Sequence, residues 1–270
     1  MDIEFREGDK PTMGLHIVVC IKAVVTKIPV KGYVRTAGSL ELNPFDRSAL
    51  EMALRLKQVH GGQITVLTMG PEASVSALYE ARAMGADRII LVSDSALAGS
   101  DTLATSKALC GAVGKLMPFD LLFFGVRSFD SDTGQVGPQT AVLLDLPLVT
   151  AVHAVDVQGS RVSVERRADG FLETYAFSFP GVLTIDPASV SARDPKLAEL
   201  ESAFQNREEQ RWALSDLDVS ADAVGWRGSA TKVPAVKRVV KERKCTFLSG
   251  SVDEQAGRLI ERIRRSGVMD

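Results

Sequence analysis

Residues 120–137 are DLLFFGVRSFDSDTGQVG, a short apolar run that leads into a loop with three glycines. Three similar apolar runs precede it, at residues 16–21, 63–69 and 88–92. Segments with apolar side chains at helical spacing separate the runs, at residues 45–59, 72–84 and 101–117. Short continuous apolar runs are typical of parallel strands that helices cover on both faces. The alternation therefore predicts an α/β fold with a doubly wound parallel sheet.

The predicted helix over residues 45–59 has clear boundary residues. Asn43 is expected to cap its first turn, and Pro44 suits the first helical position because proline lacks the N–H that would be unpaired there. Asp46 places a negative charge near the positive end of the helix dipole. The glycine pair at 61–62 follows the last apolar position and predicts the end of the helix.

The pattern changes after about residue 146. Residues 149–157, 161–167 and 172–179 have the composition of strands, and the turns between them contain glycine. Strands joined by such short turns are antiparallel neighbours. We therefore predict an antiparallel extension of the sheet, which completes an α/β domain over residues 13–186.

Beyond residue 186 the chain is more polar and loses the alternation of strands and helices. A charged helical stretch is expected at residues 194–209, and an amphipathic helix at residues 252–265. A segment with few apolar side chains buries too little surface to fold alone. Residues 187–270 are therefore predicted to form a C-terminal arm that wraps a partner subunit. The alternative is an ordinary C-terminal helix that packs on its own domain.

Composition excludes several classes of protein. The formal net charge is −2 and the pI is about 6.0, so a nucleic-acid partner is not expected. The three cysteines lie far apart and have no metal-binding spacing with the three histidines, so no metal site is expected. Residues 1–12 lack the apolar core of a signal peptide, and no apolar run is long enough for a membrane span. We therefore expect a cytoplasmic protein.

The loop at residues 125–137 is the first candidate site, because ligands of open parallel sheets bind at the carboxyl ends of the strands. Its glycines let backbone N–H groups approach an anion, and the helix that follows presents further unpaired N–H groups. Arg127, Ser128 and Thr133 add hydrogen-bond donors suited to phosphate. The loop is neither a Walker A motif nor a GxGxxG motif. It predicts a nucleotide site, and the alternative is a polar loop without a ligand.

Other strand ends contribute fewer candidates. Lys22 follows the first strand, where it either meets a phosphate or carboxylate or is solvated. Gly70, after the second strand, permits the close approach of a flat ligand. Asp130 and Asp132 are interpreted as hydrogen-bond acceptors for backbone or ribose groups rather than as an acid/base pair, and the sequence contains no GxSxG motif. We therefore predict no catalytic residue, as is typical of a protein that holds a cofactor.

The sequence resembles the electron-transfer flavoprotein beta subunits in five segments that occur in the same order. They are HIVVCIK (16–22), LNPFD (42–46) with ALEMALRLK (49–57), ARAMGADRIILV (81–92), GVRSFDSDTGQVGPQTAVLLDLPLVTAV (125–152) and VERRADGFLETYAFSFPGVLTI (164–185). The resemblance implies a heterodimer with an alpha subunit. The alpha subunit would carry an FAD close to the beta surface at Phe45.

The resemblance also implies a second adenine nucleotide in this chain. The implied positions and the candidates above together give the cofactor-binding set: Cys20, Lys22, Asn43, Pro44, Phe45, Asp46, Met69, Gly70, Gly125, Arg127, Ser128, Asp130, Asp132, Thr133, Gly134, Gln135 and Val136. Family members hold either AMP or a second FAD there. The stretches at residues 130–138 and 224–231 resemble the nitrogen-fixation-associated and electron-bifurcating members, which favours FAD over AMP. Bifurcating members take their electrons from NADH.

Arg193 and Leu197 match the family's partner-recognition loop, which implies contact with a dehydrogenase. The basic run usual after that loop is replaced here by ELESAFQNREEQR at residues 199–211. The implied partner is therefore an acyl-CoA dehydrogenase or a different oxidoreductase. Our leading hypothesis is an electron-carrier subunit rather than an enzyme, and the alternative is a stand-alone AMP- or ATP-binding regulatory module.

Overall fold

The predicted apolar runs form the strands of one sheet. The structure is a computed structural model that describes residues 14–26, 40–233 and 245–268. Its strands are β1 Leu15–Ile21, β2 Ala23–Val25, β3 Leu40–Leu42, β4 Gly62–Met69, β5 Arg88–Val92, β6 Leu121–Gly125, β7 Leu148–Gln158, β8 Arg161–Ala168, β9 Phe171–Ser178, β10 Gly181–Ile185 and β11 Gln210–Trp212. Its helices are α1 Pro44–His60, α2 Val75–Met84, α3 Thr102–Gly114, α4 Val136–Leu143, α5 Leu197–Asn206, α6 Gly225–Gly228 and α7 Val252–Arg265. Residue 13, where the predicted domain begins, lies outside the described residues.

Within residues 14–26 and 40–233, nine strands form a sheet with the order β11-β5-β4-β1-β6-β10-β7-β8-β9. Neighbours from β11 to β7 are parallel. β7, β8 and β9 pair in antiparallel fashion, and β2 and β3 form a separate antiparallel ribbon. The predicted doubly wound parallel sheet and its antiparallel extension are confirmed.

β1 lies inside the sheet and is buried on both faces. Ile17, Val18 and Val19 are 0% exposed. Ile17 and Val19 belong to the apolar cluster that includes α1 and α2, whereas Val18 belongs to the cluster that includes α3. A strand that packs on both faces needs apolar side chains at consecutive positions, which explains the uninterrupted apolar run in the sequence.

α1 begins and ends where the sequence predicts. Pro44 is its first residue, and the N–H of Gly61 closes its last turn by donating to the Lys57 carbonyl at 2.8 Å. Gly61 has a φ of 72°, in the left-handed region that glycine adopts at low cost. Asn43 occupies the N-cap position, but its side chain makes no capping hydrogen bond, so that part of the prediction is wrong. The reason is that its amide binds the loop after β6 instead.

β10 and β11 are strands that the sequence pattern does not predict. β10 lies between β6 and β7 although it follows β9 in the chain, and β11 pairs with β5 at the far side of the sheet. The described residues divide into two compact units near residue 234. Residues 187–233 therefore belong to the unit that carries the sheet. The assignment of residues 187–270 to a partner-wrapping arm stays a prediction.

α7 belongs to the second unit and confirms the helix predicted for residues 252–265. Ser251 and Glu254 form a capping box, in which each side chain accepts a hydrogen bond from the other residue's backbone N–H. Leu259 and Ile260, on the apolar side of the helix, are about half exposed. In the part of the chain that the structure describes, no helix has both the length and the apolarity that crossing a bilayer requires.

Candidate functional site

The order of the strands reverses at β1. The chain runs from β1 to β4 and β5 on one side, and then crosses to β6 on the other side of β1. In a doubly wound sheet, such a reversal leaves a crevice at the carboxyl ends of the strands. Here that position is bordered by Lys22, which follows β1, and by Gly125, the last residue of β6, and we refer to this edge as the crevice. The loop at residues 125–137 therefore borders the position where the topology favours a ligand.

Asp46, in the first turn of α1, is the buried carboxylate of this crevice. Its Oδ2 accepts the Lys22 backbone N–H at 2.7 Å, and its Oδ1 accepts the Gly125 backbone N–H at 3.2 Å. The residue is only 5% exposed. Burial raises the pKa of Asp46 to about 7, although hydrogen bonds from Lys22, Asn43 and Gly125 favour the charged form.

Asn43 holds the loop after β6 against the start of α1. Its Nδ2 donates to the Arg127 carbonyl at 2.9 Å, and its Oδ1 accepts the Phe129 N–H at 3.1 Å. Asn43 is 1% exposed. An amide that satisfies both a carbonyl and an N–H fixes the backbone between them. Asn43 therefore positions the loop, which is a role that its place before a helix did not reveal.

Lys22 and Asp130 form an ion pair across the crevice. Lys22 Nζ lies 2.6 Å from Asp130 Oδ1, and 3.4 Å from the Ser131 hydroxyl. The Asp130 side chain is 9% exposed, and that of Lys22 is about one third exposed. Of the interpretations given for Lys22, the structure shows contact with a carboxylate. Asp130 accepts this bond from a lysine side chain, whereas the sequence predicts an acceptor for backbone or ribose groups.

Arg127 and Phe45 face each other near the same edge of the sheet. The Arg127 Cζ lies 4.8 Å from the centre of the Phe45 ring, which is a cation–π contact. Arg127 Nη1 is also 3.2 Å from Asp132 Oδ1. The two charged side chains are 50% and 63% exposed, so their ion pair is weak. Arg127 can therefore turn towards an anion at little cost.

The loop between β6 and α4 is a compact turn rich in hydroxyl groups. The Asp132 N–H donates to the Ser128 carbonyl at 2.9 Å, and the Ser128 and Ser131 hydroxyls share a hydrogen bond of 2.6 Å. Asp132 and Gly134 have φ angles of 54° and 63°. Aspartate and glycine tolerate this left-handed region better than other residues. These residue types therefore suit the tight path of the chain.

α4 begins directly after this loop. Gln135 precedes it without making a side-chain cap, because its Oε1 instead accepts the Thr102 hydroxyl at 2.8 Å. Thr133 is exposed and Val136 is half-buried. The first N–H groups of a helix have no partner within the helix, and a start without a side-chain cap suits an anion.

Cys20, Met69 and Gly70 lie at the carboxyl ends of β1 and β4. Cys20 is 4% exposed, and burial, with the charge of Asp46, raises the pKa of its thiol. Met69 packs against the same apolar cluster as Cys20. A Cβ atom at Gly70 would lie 2.3 Å from the Ser74 Oγ, so a larger residue there would require the Ser74 side chain to move. Cys20 therefore brings no reactive group to the site.

A second cluster at the carboxyl edge was not predicted. Asp101 Oδ2 accepts the backbone N–H and the hydroxyl of Thr231, at 2.8 and 3.0 Å. The Ser100 hydroxyl accepts the Gly225 N–H at 2.9 Å. These bonds hold residues 224–231 beside the loop that follows β5. The available signal was the Ser-Asp pair itself, because polar residues after a parallel strand lie at this edge.

Arg193 and Leu197, the predicted partner-binding residues, differ in accessibility. Arg193 donates from Nε and Nη2 to the two carboxylate oxygens of Glu51, at 2.7 and 3.0 Å. Glu51 is buried on α1, so Arg193 helps to anchor residues beyond β10 to the sheet unit. Leu197, the first residue of α5, is 80% exposed. Their contact with a partner stays a prediction.

These features define an α/β protein of the doubly wound, Rossmann-like class, with polar side chains at the reversal of its strand order. The model of the electron transfer flavoprotein domain matches residues 30–216. The electron transfer flavoprotein subunit beta of Thermoanaerobacterium thermosaccharolyticum is 37% identical over 261 residues, which cover 94% of this chain and 100% of the relative. Protein FixA of Azotobacter vinelandii is 39% identical over 261 residues, which cover 92% of each chain. The subunit beta of Clostridium acetobutylicum is 35% identical over 258 residues, with 93% and 98% covered.

This chain therefore belongs to the electron transfer flavoprotein family. The resemblance described from the sequence is confirmed, and membership supports an electron-transfer role. It also favours the electron-carrier hypothesis over the stand-alone regulatory module.

Proposed function

We propose that this chain is the beta subunit of a heterodimeric electron carrier and that its carboxyl-edge crevice binds an adenine nucleotide. The observation that carries the proposal is the hydroxyl-rich loop after β6, which Asn43 clamps and which leads into the uncapped start of α4. Both features suit a phosphate group.

The residues present fit the phosphates of such a nucleotide. Ser128, Ser131 and Thr133 supply hydroxyl groups, and the exposed Arg127 supplies a cation. Asp130 is paired with Lys22, which reduces the negative charge that an incoming anion would meet. When bound, an FAD supplies the redox chemistry, while the residues of this chain hold and orient it.

We favour FAD over AMP in this site. The two stretches that resemble FAD-containing members, residues 130–138 and 224–231, are far apart in the sequence. In the structure, Asp101 binds Thr231, and its neighbour Thr102 binds Gln135 at the start of α4. Both stretches therefore contact the start of α3, where Asp101 and Thr102 lie. A dinucleotide extends along more of a sheet edge than a mononucleotide, so this proximity supports the longer ligand.

The proposed partner is an alpha subunit that carries its own FAD near Phe45. The amphipathic α7, with Leu259 and Ile260 about half exposed, is the proposed arm segment for this contact. The exposed Leu197 is proposed to contact an acyl-CoA dehydrogenase or another oxidoreductase. Electrons would pass from that oxidoreductase, or from NADH, to a downstream acceptor. We include electron bifurcation in this proposal. This chain's share of the work is binding and orientation.

Asp132→Ala is expected to empty the nucleotide site of this chain while sparing the flavin of the alpha subunit. Alanine adopts the φ of 54° that the loop has at this position less readily than aspartate does. We expect nucleotide affinity to fall about tenfold, because a backbone in the left-handed region costs a residue other than glycine on the order of 1–3 kcal/mol and alanine tolerates it less well than aspartate. The measurement is the amount of each nucleotide per purified heterodimer.

Asp169→Ala is the matched control for this experiment. Asp169 also has a positive φ, 51°, but lies in the turn between β8 and β9. We expect that variant to keep both nucleotides. Equal loss of both nucleotides from the Asp132 variant would contradict the assignment of this residue to the site.

A further inference from the structure

The pairing between β1 and β6 ends before the two strands reach the carboxyl edge of the sheet. Their parallel pairing runs from Ile17↔Leu121 to Val19↔Phe123. On its other side, β1 stays paired with β4 up to Ile21, and β6 stays paired with β10 up to Gly125. Between β1 and β6, the backbone groups beyond Val19 and Phe123 thus need partners from outside the strand pair.

The Asp46 carboxylate supplies those partners from α1. One oxygen accepts the N–H of Lys22 at 2.7 Å and the other accepts the N–H of Gly125 at 3.2 Å. The carboxylate therefore bridges the two strand ends at the point where their own pairing has stopped. A Cβ atom on Gly125 would lie 2.4 Å from Asp46 Oδ1, so the bridge also requires a glycine at the end of β6.

Asp46 is too buried to be a direct contact of a ligand. It is 5% exposed, and each of its oxygens already accepts a backbone hydrogen bond. The residues that it joins are the ones that border the crevice: Lys22 pairs with Asp130, and Gly125 begins the loop that Asn43 clamps. A change at Asp46 would therefore reach the ligand through the geometry of its neighbours.

We propose that Asp46 is a positioning residue, whose charged carboxylate sets the separation of β1 and β6 at the crevice and thereby the affinity for the nucleotide. This inference rests on the proposed nucleotide site. It differs from the resemblance-based expectation that Asp46 touches the cofactor, because here the side chain acts through the backbone of Lys22 and Gly125.

The protonation of Asp46 gives the proposal a signature. Burial raises its pKa to about 7. The groups that face the Asp46 carboxylate are Lys22 and the buried thiol of Cys20 on β1. Lys22 in turn forms an ion pair with Asp130, in the loop after β6. A protonated carboxyl has a donor where one backbone N–H needs an acceptor, so the bridge weakens below neutral pH.

Affinity and stability should respond to pH in opposite directions. Because the folded-state pKa is raised, the contribution of Asp46 to stability is present at low pH and is lost as the pH rises through about 7. The affinity for the nucleotide should instead rise over that range, as the bridging carboxylate becomes charged. A residue with only a structural role would change stability without this opposite change in affinity.

The test compares Asp46→Asn with Asp120→Asn in the full-length chain. Asp120 Oδ2 accepts the His16 N–H at 2.6 Å, so it joins the same two strands at their amino ends, away from the crevice. Both substitutions remove one negative charge and replace one carboxylate oxygen by an amide. Asp46→Asn loosens the carboxyl end of the strand pair, whereas Asp120→Asn loosens its amino end.

The probe is FAD, titrated by calorimetry between about pH 6 and pH 8.5, because its pyrophosphate does not titrate there, whereas a phosphate monoester such as AMP titrates near 6. We expect wild-type affinity to rise about tenfold across neutral pH. Asp46→Asn should bind about tenfold or more weakly with a flat pH profile, and Asp120→Asn should match the wild type within about twofold.

Two results would overturn the positioning role: a flat wild-type profile, or an equal loss of affinity in both variants. The wild-type profile decides the matter even if Asp46→Asn fails to fold. Absence of FAD and AMP binding to the wild type at every pH would instead reject the proposed nucleotide site. The failure of one idea is therefore distinguishable from the failure of the other.

Discussion

Gly125→Val is expected to abolish nucleotide binding by this chain. The Cβ atom alone would lie 2.4 Å from Asp46 Oδ1, 2.7 Å from the Phe45 carbonyl carbon and 2.9 Å from the Asp46 nitrogen. Two of these three atoms are backbone atoms at the start of α1, which cannot move without shifting the helix. The substitution must therefore push α1 away from the end of β6.

The expected loss of affinity is about 100-fold or more, because the displaced helix start carries both Asn43 and Asp46. Overpacking of this kind also costs about 1–3 kcal/mol of stability. The measurement is the nucleotide retained by the purified protein, with a thermal melt of the same sample. Gly125→Ala adds the same Cβ with the least extra bulk and serves if the valine variant does not fold.

Gly114→Val is the matched control for Gly125. Gly114 is the last residue of α3, and a Cβ atom built there meets no other atom within 4 Å. This variant should keep its nucleotide. Stoichiometric nucleotide in folded Gly125→Val would show that the end of β6 does not border the binding site.

Arg193→Met is expected to lower the free energy of unfolding by about 2–3 kcal/mol, because it removes the principal partner of a buried carboxylate. Arg193 donates two side-chain hydrogen bonds to Glu51, whose side chain is only 4% exposed. The figure is below that of a fully buried pair because Arg193 is itself 35% exposed and Arg55 also contacts Glu51. For a chain of this size, the melting temperature should fall by roughly 5–10 °C.

The effect of Arg193→Met should diminish in acid. Burial alone would raise the pKa of Glu51, but its hydrogen bonds from Arg193 and Arg55 hold the pKa below its usual value. The stability from this pair is therefore present at neutral pH and is lost as the pH falls through the lowered pKa. We expect the difference in stability between variant and wild type to shrink as the pH falls through that lowered value.

Arg55→Met is the control, since Arg55 bonds to the same Glu51 but is 53% exposed on the surface of α1. An exposed pair of this kind contributes under about 1 kcal/mol. An Arg193 variant with wild-type stability that loses a redox partner would contradict the structural role and support the predicted partner contact instead.

The parts of the fold that depend on local pattern are predictable from the sequence. α1 is an example, because apolar spacing, a proline and a terminal glycine are all visible within its own residues. β10 is different, since Gly181–Ile185 follows an antiparallel hairpin and yet inserts between β6 and β7. No local signal shows which distant strands will accept it.

The candidate site also has a part that the local sequence predicts and a part that it does not. The loop at residues 125–137 could be selected because glycines and hydroxyl residues after an apolar run suit an anion. The roles of Asn43 and Asp46 could not be selected correctly. Both residue types are typical of helix starts, so the sequence favours a cap and a dipole partner. In the folded chain their side chains bind the loop and strand ends of β6, which are more than 70 residues away.

We propose that the ends of β1 and β6 border a bound adenine nucleotide. The most direct measurement is to purify the full-length chain with its partner without added nucleotide, release small molecules by heat and identify them by mass. The claim predicts one adenine nucleotide per copy of this chain beyond any flavin of the partner, with FAD expected and AMP the alternative. Release of no adenine nucleotide attributable to this chain would contradict it.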